Sequence, residues 1–263
     1  MRYYRTTGLM MSQMQELVRR VHDALSDPWN KKVGRPKLCG LYQAVETTCM
    51  YIRHNATQEV LGDLRDASQS TVSRMVSTLT PIVKTVLEEF VPDAAEAIEM
   101  VKGRACLVDG TITPCWSYDD HPELWSRKHA TTGFNAQLLS LLDGTAIYIS
   151  DPLPGKTHDA KAYTDTPVAD IVAHSGGAIG DKGYQGHADA TPRKKPPGGQ
   201  LSKSDIECNT EISALRAPIE RVIAHFKSWR MLHTDYRRPY HTYRDAYDAT
   251  RGLFFFSITW DFE

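Results

Sequence analysis

Long hydrophobic runs are missing from this chain of 263 residues. Its best candidate, Leu253-Phe254-Phe255-Phe256-Ser257-Ile258, falls far short of the roughly 20 apolar residues that cross a bilayer, so no membrane partner is expected. The opening Met1-Arg2-Tyr3-Tyr4-Arg5 lacks the apolar stretch of a secretory leader. Cysteine is scarce: five residues, an odd number, with no C-x-x-C pair, which excludes a disulfide framework and a zinc knuckle and fits a reducing cytoplasm. Net charge is nearly absent, at −1, and there is no low-complexity tract or internal repeat. What remains is an ordinary globular composition, 41% hydrophobic and 24% charged, with enough apolar material for a sizeable core. At roughly 150 residues per domain, two domains are the expectation.

The near-zero net charge hides an uneven distribution. Residues 1–36 hold seven Lys/Arg against three Asp/Glu, 191–240 hold ten against five, and 86–100 hold five acids and no base. Solvated surface charge is one reading; a polyanionic partner touching both ends of the chain is the other.

Apolar residues Leu9, Met10, Met14, Leu17, Val18, Val21 and Leu25 recur at helical spacing and predict a helix over 9–26, stopped by Pro28. The basic stretch Lys31–Lys37, with Gly34-Arg35-Pro36 at its centre, reads as a linker or as an arm that lies along DNA. A second helix is predicted from Leu38 to His54. After it, Asn55 or Thr57 can cap a short helix with Val60, Leu61 and Leu64 inward, and Ser68 can cap another with Val72, Met75 and Val76 inward. That pattern predicts a helix-turn-helix whose Gln69, Ser70, Thr71, Ser73 and Arg74 face DNA bases and phosphates. A structural helical hairpin without a DNA role is the alternative. The second helix is expected to run through Pro81 to Phe90, and the boundary to the next domain to fall near residue 100.

Beyond it, the pattern predicts strands at 104–108, 134–142 and 145–150, the last two joined at Asp143-Gly144, a favoured hairpin dipeptide. A helix over about 158–173 capped by Thr157, a short strand at 177–180, a Pro/Gly/Lys-rich loop at 191–200 and a long helix from about 207 to 230 follow. This β-β-β-α-β-α order, with acids at two strand ends and on the last helix, is the layout of a ribonuclease H-like fold. The expected organisation is therefore α/β: an N-terminal helix and basic arm (1–36), an all-α helix-turn-helix DNA-binding domain (37–99) and a ribonuclease H-like catalytic domain (100–263).

The acids are Asp109, Asp181 and Glu220. Singly, each has an ordinary explanation in a turn or a solvated helix position. Three carboxylates converging on one spot repel strongly unless a cation sits between them. Hard oxygen ligands suit Mg²⁺ or Mn²⁺, and two such ions about 3.5–4 Å apart can activate a water and stabilise the leaving oxygen of a phosphodiester. At about 100° per residue, Arg216, Glu220 and Lys227 share one face of the last helix. An Arg216–Glu220 ion pair explains the first but not Lys227, about 10 Å further along, which suits a group gripping DNA.

Val108-Asp109-Gly110-Thr111, Gly155-Lys156-Thr157-His158-Asp159, Asp181-Lys182-Gly183-Tyr184-Gln185-Gly186 and Arg216-Ala217-Pro218-Ile219-Glu220-Arg221-Val222-Ile223 resemble the successive signatures of the DDE superfamily endonucleases, the bacterial insertion-sequence transposases of the insertion sequence five type. The resemblance spans about residues 38–232, since that family also carries a helix-turn-helix ahead of its nuclease domain. It implies that Asp109, Asp181 and Glu220 are the catalytic, metal-holding triad and that Arg216 and Lys227 are the DNA-contacting basic residues bracketing the glutamate. Ser213 stands where the family signature has a tyrosine. His158 and Asp159 match a motif for which a helix cap is the plain structural explanation, and Cys115 and Trp116, which match nothing, read as packing residues.

The expected function is that of a transposase which binds the terminal inverted repeats of its element and performs metal-dependent cleavage and strand transfer. Its expected partners are double-stranded DNA, both element ends and target, and a second copy of the chain when bound to DNA, in the cytoplasm on the bacterial nucleoid. The alternatives are a transposase-derived protein that only binds DNA and a metal-dependent nuclease on the same fold.

Overall fold

In a computed structural model of the chain, the structure describes residues 5–30 and 38–260. The basic stretch Lys31–Lys37 lies outside the described residues. In chain order the helices are α1 (Met11–Ala24), α2 (Leu41–His54), α3 (Gln58–Asp63), α4 (Gln69–Leu87), α5 (Ala94–Val101), α6 (Asp159–Asp165), α7 (Val168–Ala173), α8 (Lys203–Lys227) and α9 (Tyr243–Thr259). The strands are β1 (Cys106–Pro114), β2 (Trp125–Ser126), β3 (Thr131–Leu141), β4 (Ala146–Ile149), β5 (Leu153–Pro154) and β6 (Ala178–Ile179). No described helix is long and apolar enough to cross a membrane.

The chain divides into two compact units, one formed by residues 1–91 with 226–263 and the other by residues 92–225. The C-terminal segment, expected with the catalytic domain, thus belongs by contact with the N-terminal helices. The cause is α9, whose Leu253, Phe254, Phe255 and Phe256 are fully buried and whose Gly252 lies so close to α4 that a Cβ there would come within 2.8 Å of Leu87 Cβ.

In the first unit, Thr57 caps α3 by accepting from the Val60 amide, and Ser68 caps α4 by accepting from the Thr71 amide. The Ser68 cap was expected; of the two caps expected for α3, Asn55 or Thr57, it is Thr57 that serves, while Asn55 ends α2 in the left-handed region at φ +48°. Leu61 is buried as expected, but Val60 is 51% and Leu64 60% exposed, because α3 has only six residues and Leu64 falls beyond its end. The turn between the helices is tight: a Cβ on Gly62 would meet the Ala67 carbonyl at 2.4 Å, and Asp66 has φ +51°. Helix α4 carries Pro81 without breaking, and buries Val72, Met75, Val76 and Leu79.

In the second unit, β1 pairs antiparallel with β3 along its whole length, from Cys106↔Leu141 to Pro114↔Gly133, and parallel with β6. Strand β3 also pairs antiparallel with β2, β4 and β5. An antiparallel β4-β3-β1 meander followed by a parallel β6 fits the ribonuclease H-like layout. Strand β1 runs to Pro114 rather than ending at Val108, so Asp109 sits inside a strand. The helix expected over 158–173 is two short helices separated at Thr166-Pro167, and the first begins after His158, not Thr157.

Side chains alternate across a strand, and this sets the two faces of β1. Cys106 and Val108 join Leu139, Leu141, Ile147, Val168 and Ile171 in an apolar core beneath α5, α6 and α7. Further along that face the residues turn polar, at Gly110, Asn135 and Gln137. Asp109 projects from the opposite face. Trp116, read as a packing residue, is 54% exposed because the strand has ended before it, whereas Cys115 is buried.

Candidate active site

Asp109 is only 8% exposed. Its Oδ1 accepts from the Gly110 amide at 2.8 Å, and its Oδ2 accepts from Arg216 Nη2 at 2.5 Å. Helix α8 supplies that arginine from 107 residues away and also carries Glu220, whose Oε1 lies 3.4 Å from the same guanidinium nitrogen. Asp181 follows β6 and caps a short turn, its Oδ1 accepting from the Gly183 amide at 2.7 Å. Burial pushes the Asp109 carboxyl up to about 6; Arg216 opposes that rise, and the fields of Asp181 and Glu220 add to it. The three acids therefore share one electrostatic neighbourhood. Among the described residues, however, no group of three or more His, Cys, Asp and Glu side chains stands close enough to hold a metal ion. Asp109 and Glu220 meet through Arg216, not directly.

Arg216 was expected to face DNA. Its side chain is 12% exposed and turned onto the acids, with a buried Nε that has no hydrogen-bond partner. Lys227 closes α8 in the first unit, partly buried, and burial holds its amine below the ordinary lysine range. Ser213 is exposed and donates back to the Asn209 carbonyl at 2.8 Å, a bond within the helix. On the hairpin, Gln69, Ser70 and Arg74 are exposed, and Thr71 and Ser73 are half-buried. Gln69 Nε2 donates to Gln58 Oε1 at 2.6 Å, and Arg74 reaches Thr71 Oγ1 at 3.3 Å.

Sequence reasoning missed the role of Asp159 in this region. It begins α6, is 8% exposed, and takes Lys128 Nζ on Oδ2 at 2.5 Å and Asn135 Nδ2 on Oδ1 at 3.3 Å. Asn135 in turn accepts from Gln137 Nε2 at 3.1 Å, and Gln137 accepts from the Tyr184 hydroxyl at 2.6 Å. A Cβ on Gly110 would fall 2.8 Å from Asp159 Oδ1, and one on Gly183 would fall 3.0 Å from Oδ2. These glycines follow Asp109 and Asp181 by one and two residues, so Asp159 fits between the two acid-bearing segments. Burial opposes protonation of Lys128, but the bond to Asp159 and the fields of Asp181 and Asp109 hold its pKa above the usual value. A polar run at Asn135 and Gln137 inside an otherwise apolar strand was the available signal.

Residues 108–250 match the family model described as DDE superfamily endonuclease. A protein of Streptomyces albus G, named as a transposase for insertion sequence element IS112, is 26% identical over 228 residues, covering 86% of this chain and 83% of its own. Another from Microchaete diplosiphon, named as a transposase for insertion sequence element IS702, is 26% identical over 238 residues, covering 87% of this chain and 84% of its own. No solved structure matches the chain. With the match running from the residue before the buried Asp109, past Asp181 and Glu220, into α9, the chain belongs to the DDE superfamily endonucleases.

Proposed function

We propose that this protein is a DNA transposase, in which the α3–α4 hairpin binds the ends of a mobile element and Asp109, Asp181 and Glu220 cut and rejoin the strands there. The observation that carries the reading is the Asp109 carboxyl, buried, pushed up to about 6 and lying in the fields of two further acids, with Arg216 bonded to it. A purely architectural core gains nothing from such a set, whereas a site that takes up a divalent cation requires it.

The donor set fits Mg²⁺ or Mn²⁺ in kind, being all carboxylate oxygen, with Asp109, Asp181 and Glu220 as the holding residues. Such a cation, or a pair of them, supplies Lewis acidity toward a phosphodiester and lowers the pKa of water. The remaining work falls to the chain. Asp109 is held still by the Gly110 amide, Asp181 by the Gly183 amide, and Arg216 balances the charge of Asp109 and Glu220. Gln69, Ser70, Thr71, Ser73 and Arg74 form the DNA-facing side of α4, with Lys227 as a further DNA contact. Joining two element ends to a target requires two copies of the chain on DNA, in the cytoplasm on the nucleoid.

The test is nicking of labelled element-end DNA in Mg²⁺ or Mn²⁺ beside a binding titration. Asp109→Asn, Asp181→Asn and Glu220→Gln should each abolish cleavage and leave end binding nearly intact; near-normal cleavage by any of them removes that residue from the site. In the same titration, Arg74→Ala should weaken binding to all sequences and lower the salt slope by about one unit. Gln69→Ala should cost about 1–3 kcal/mol on the element end alone, and equal losses on random DNA would refute its base-reading role.

A further inference from the structure

A cavity of about 250 Å³ opens between residues 125–129 and 155–159, within the second unit. Its composition is unusual for a surface hollow. Arg127, Lys128 and Lys156 line it against one carboxylate, Asp159, and that acid is already paired with Lys128. Trp125 stands at its edge with 49% of its surface exposed, although a side chain of this size is ordinarily well covered. The walls are built rather than loose. Residues Trp125 and Ser126 pair with Thr132 and Thr131, and a Cβ on Gly155 would fall 2.4 Å from the Leu124 carbonyl and 2.5 Å from that of Gly133. Asp159 and Asn135, both more than nine-tenths buried, close the floor through their mutual hydrogen bond.

Cations that follow a phosphodiester backbone, together with an aromatic face for a base, are the chemistry of single-strand recognition. A base stacked inside a duplex presents no face to such a tryptophan; an unpaired one does. We propose that this cavity is a subsite for one unpaired nucleotide of a DNA strand, its base against the Trp125 indole and its phosphate met by Arg127 and Lys156. Asp159 connects this subsite to the acids, since the carboxylate on the cavity floor also packs against Gly110 and Gly183 beside Asp109 and Asp181. The identity of the strand as one opened at the cleavage point rests on the function proposed above.

The experiment uses the full chain in a chelator, with a short labelled oligothymidylate and a blunt random-sequence duplex read by fluorescence anisotropy. Trp125→Ala should weaken oligothymidylate binding by about five- to 150-fold, the value of one stacked base, while Trp125→Phe retains most of it and duplex affinity changes less than about twofold. Arg127→Ala and Lys156→Ala should each lower the salt slope of single-strand binding by about 0.7, and they carry the test should Trp125→Ala fail to fold. Unchanged oligothymidylate affinity in Trp125→Ala, equal losses on both DNAs, or unchanged salt slopes in the two cation variants would overturn the subsite. Because binding is read without metal or cleavage, a chain that binds in this Trp125-dependent way but never cuts DNA overturns the proposed function and leaves the subsite standing.

Discussion

The two faces of β1 offer a controlled contrast. One presents Asp109, the other the Gly110 position against which Asp159 packs, and both carboxylates are 8% exposed with one basic side chain each, Arg216 or Lys128, at 2.5 Å. Their surroundings then diverge. Asp159 gains the Asn135 amide and sits at the start of a helix, where the backbone favours an anion. Asp109 gains two further acids, whose fields add to the rise to about 6 that burial causes. Equal exposure thus leaves the two acids in different company, Asp159 beside an amide and a helix start and Asp109 beside two further acids, and under the proposed function it is that company which makes Asp109 a metal-holding carboxylate.

Exchange of each acid for its amide is the sharpest way to break this contrast. Asp109→Asn should reduce metal-dependent cleavage on the order of 10²–10³-fold or more, the scale of losing one key electrostatic group at a reacting centre. Asp159→Asn should leave cleavage within about tenfold and instead lower stability by about 1–2 kcal/mol, discounted because Lys128 is half exposed. Nicking rates and thermal unfolding on both variants decide the matter; a larger cleavage defect in Asp159→Asn would reverse the assignment.

Removing the cation bonded to Asp109 comes next. In metal-free protein at pH 8, Arg216→Ala should cost about 3 kcal/mol, since it leaves Asp109 buried beside two acids with only the Gly110 amide bonded to it. The cost should shrink at pH 5, where Asp109 protonates, and Mn²⁺ should raise the melting temperature of the variant more than that of the parent. Equal responses of the two proteins to Mn²⁺ would show that Arg216 and the divalent ion do not compete for Asp109.

A smaller effect sharpens the electrostatic half of the comparison. The Asp109 pKa is raised from its unfolded value, so in metal-free protein its contribution to folding is present at low pH and is lost as pH rises through about 6. Metal binding has the opposite sign, because the ligand must first lose its proton. Mn²⁺ affinity by calorimetry should therefore fall as pH drops through about 6, approaching tenfold per unit below it in Asp109-dependent fashion. Affinity that stays flat from pH 7 to pH 5 would remove Asp109 from the metal site.

Local chemistry was legible in the sequence wherever it acts within a few residues. Thr57 and Ser68 announce the starts of α3 and α4, and Asp143-Gly144 announces the β3–β4 turn, where Gly144 takes φ +93° and Asp143 Oδ1 accepts from the Thr145 amide. The order of α1 to α4, β1, β3, β4, β6 and α8 was legible for the same reason: periodicity and turn residues report on backbone geometry that is settled locally. The extension of β1 through Asp109 was not, because a strand continues as long as its partner does, and that partner, β3, lies some 20 residues downstream.

What the sequence alone determined, then, is the order of α1 to α4, β1, β3, β4, β6 and α8 and the residue types capable of metal and DNA chemistry; α5, α9, β2 and β5 were not anticipated. Only the tertiary structure decided how the charges are shared out: Arg216 turned to Asp109 instead of outward, Lys128 fixed Asp159, and α9 joined the N-terminal helices instead of the sheet. The physical reason is that an ion pair or an apolar face is satisfied by whichever partner folding brings within a few ångströms. Among many acids, bases and apolar helices spread along the chain, helical and strand periodicity carry no information about which distant one that is.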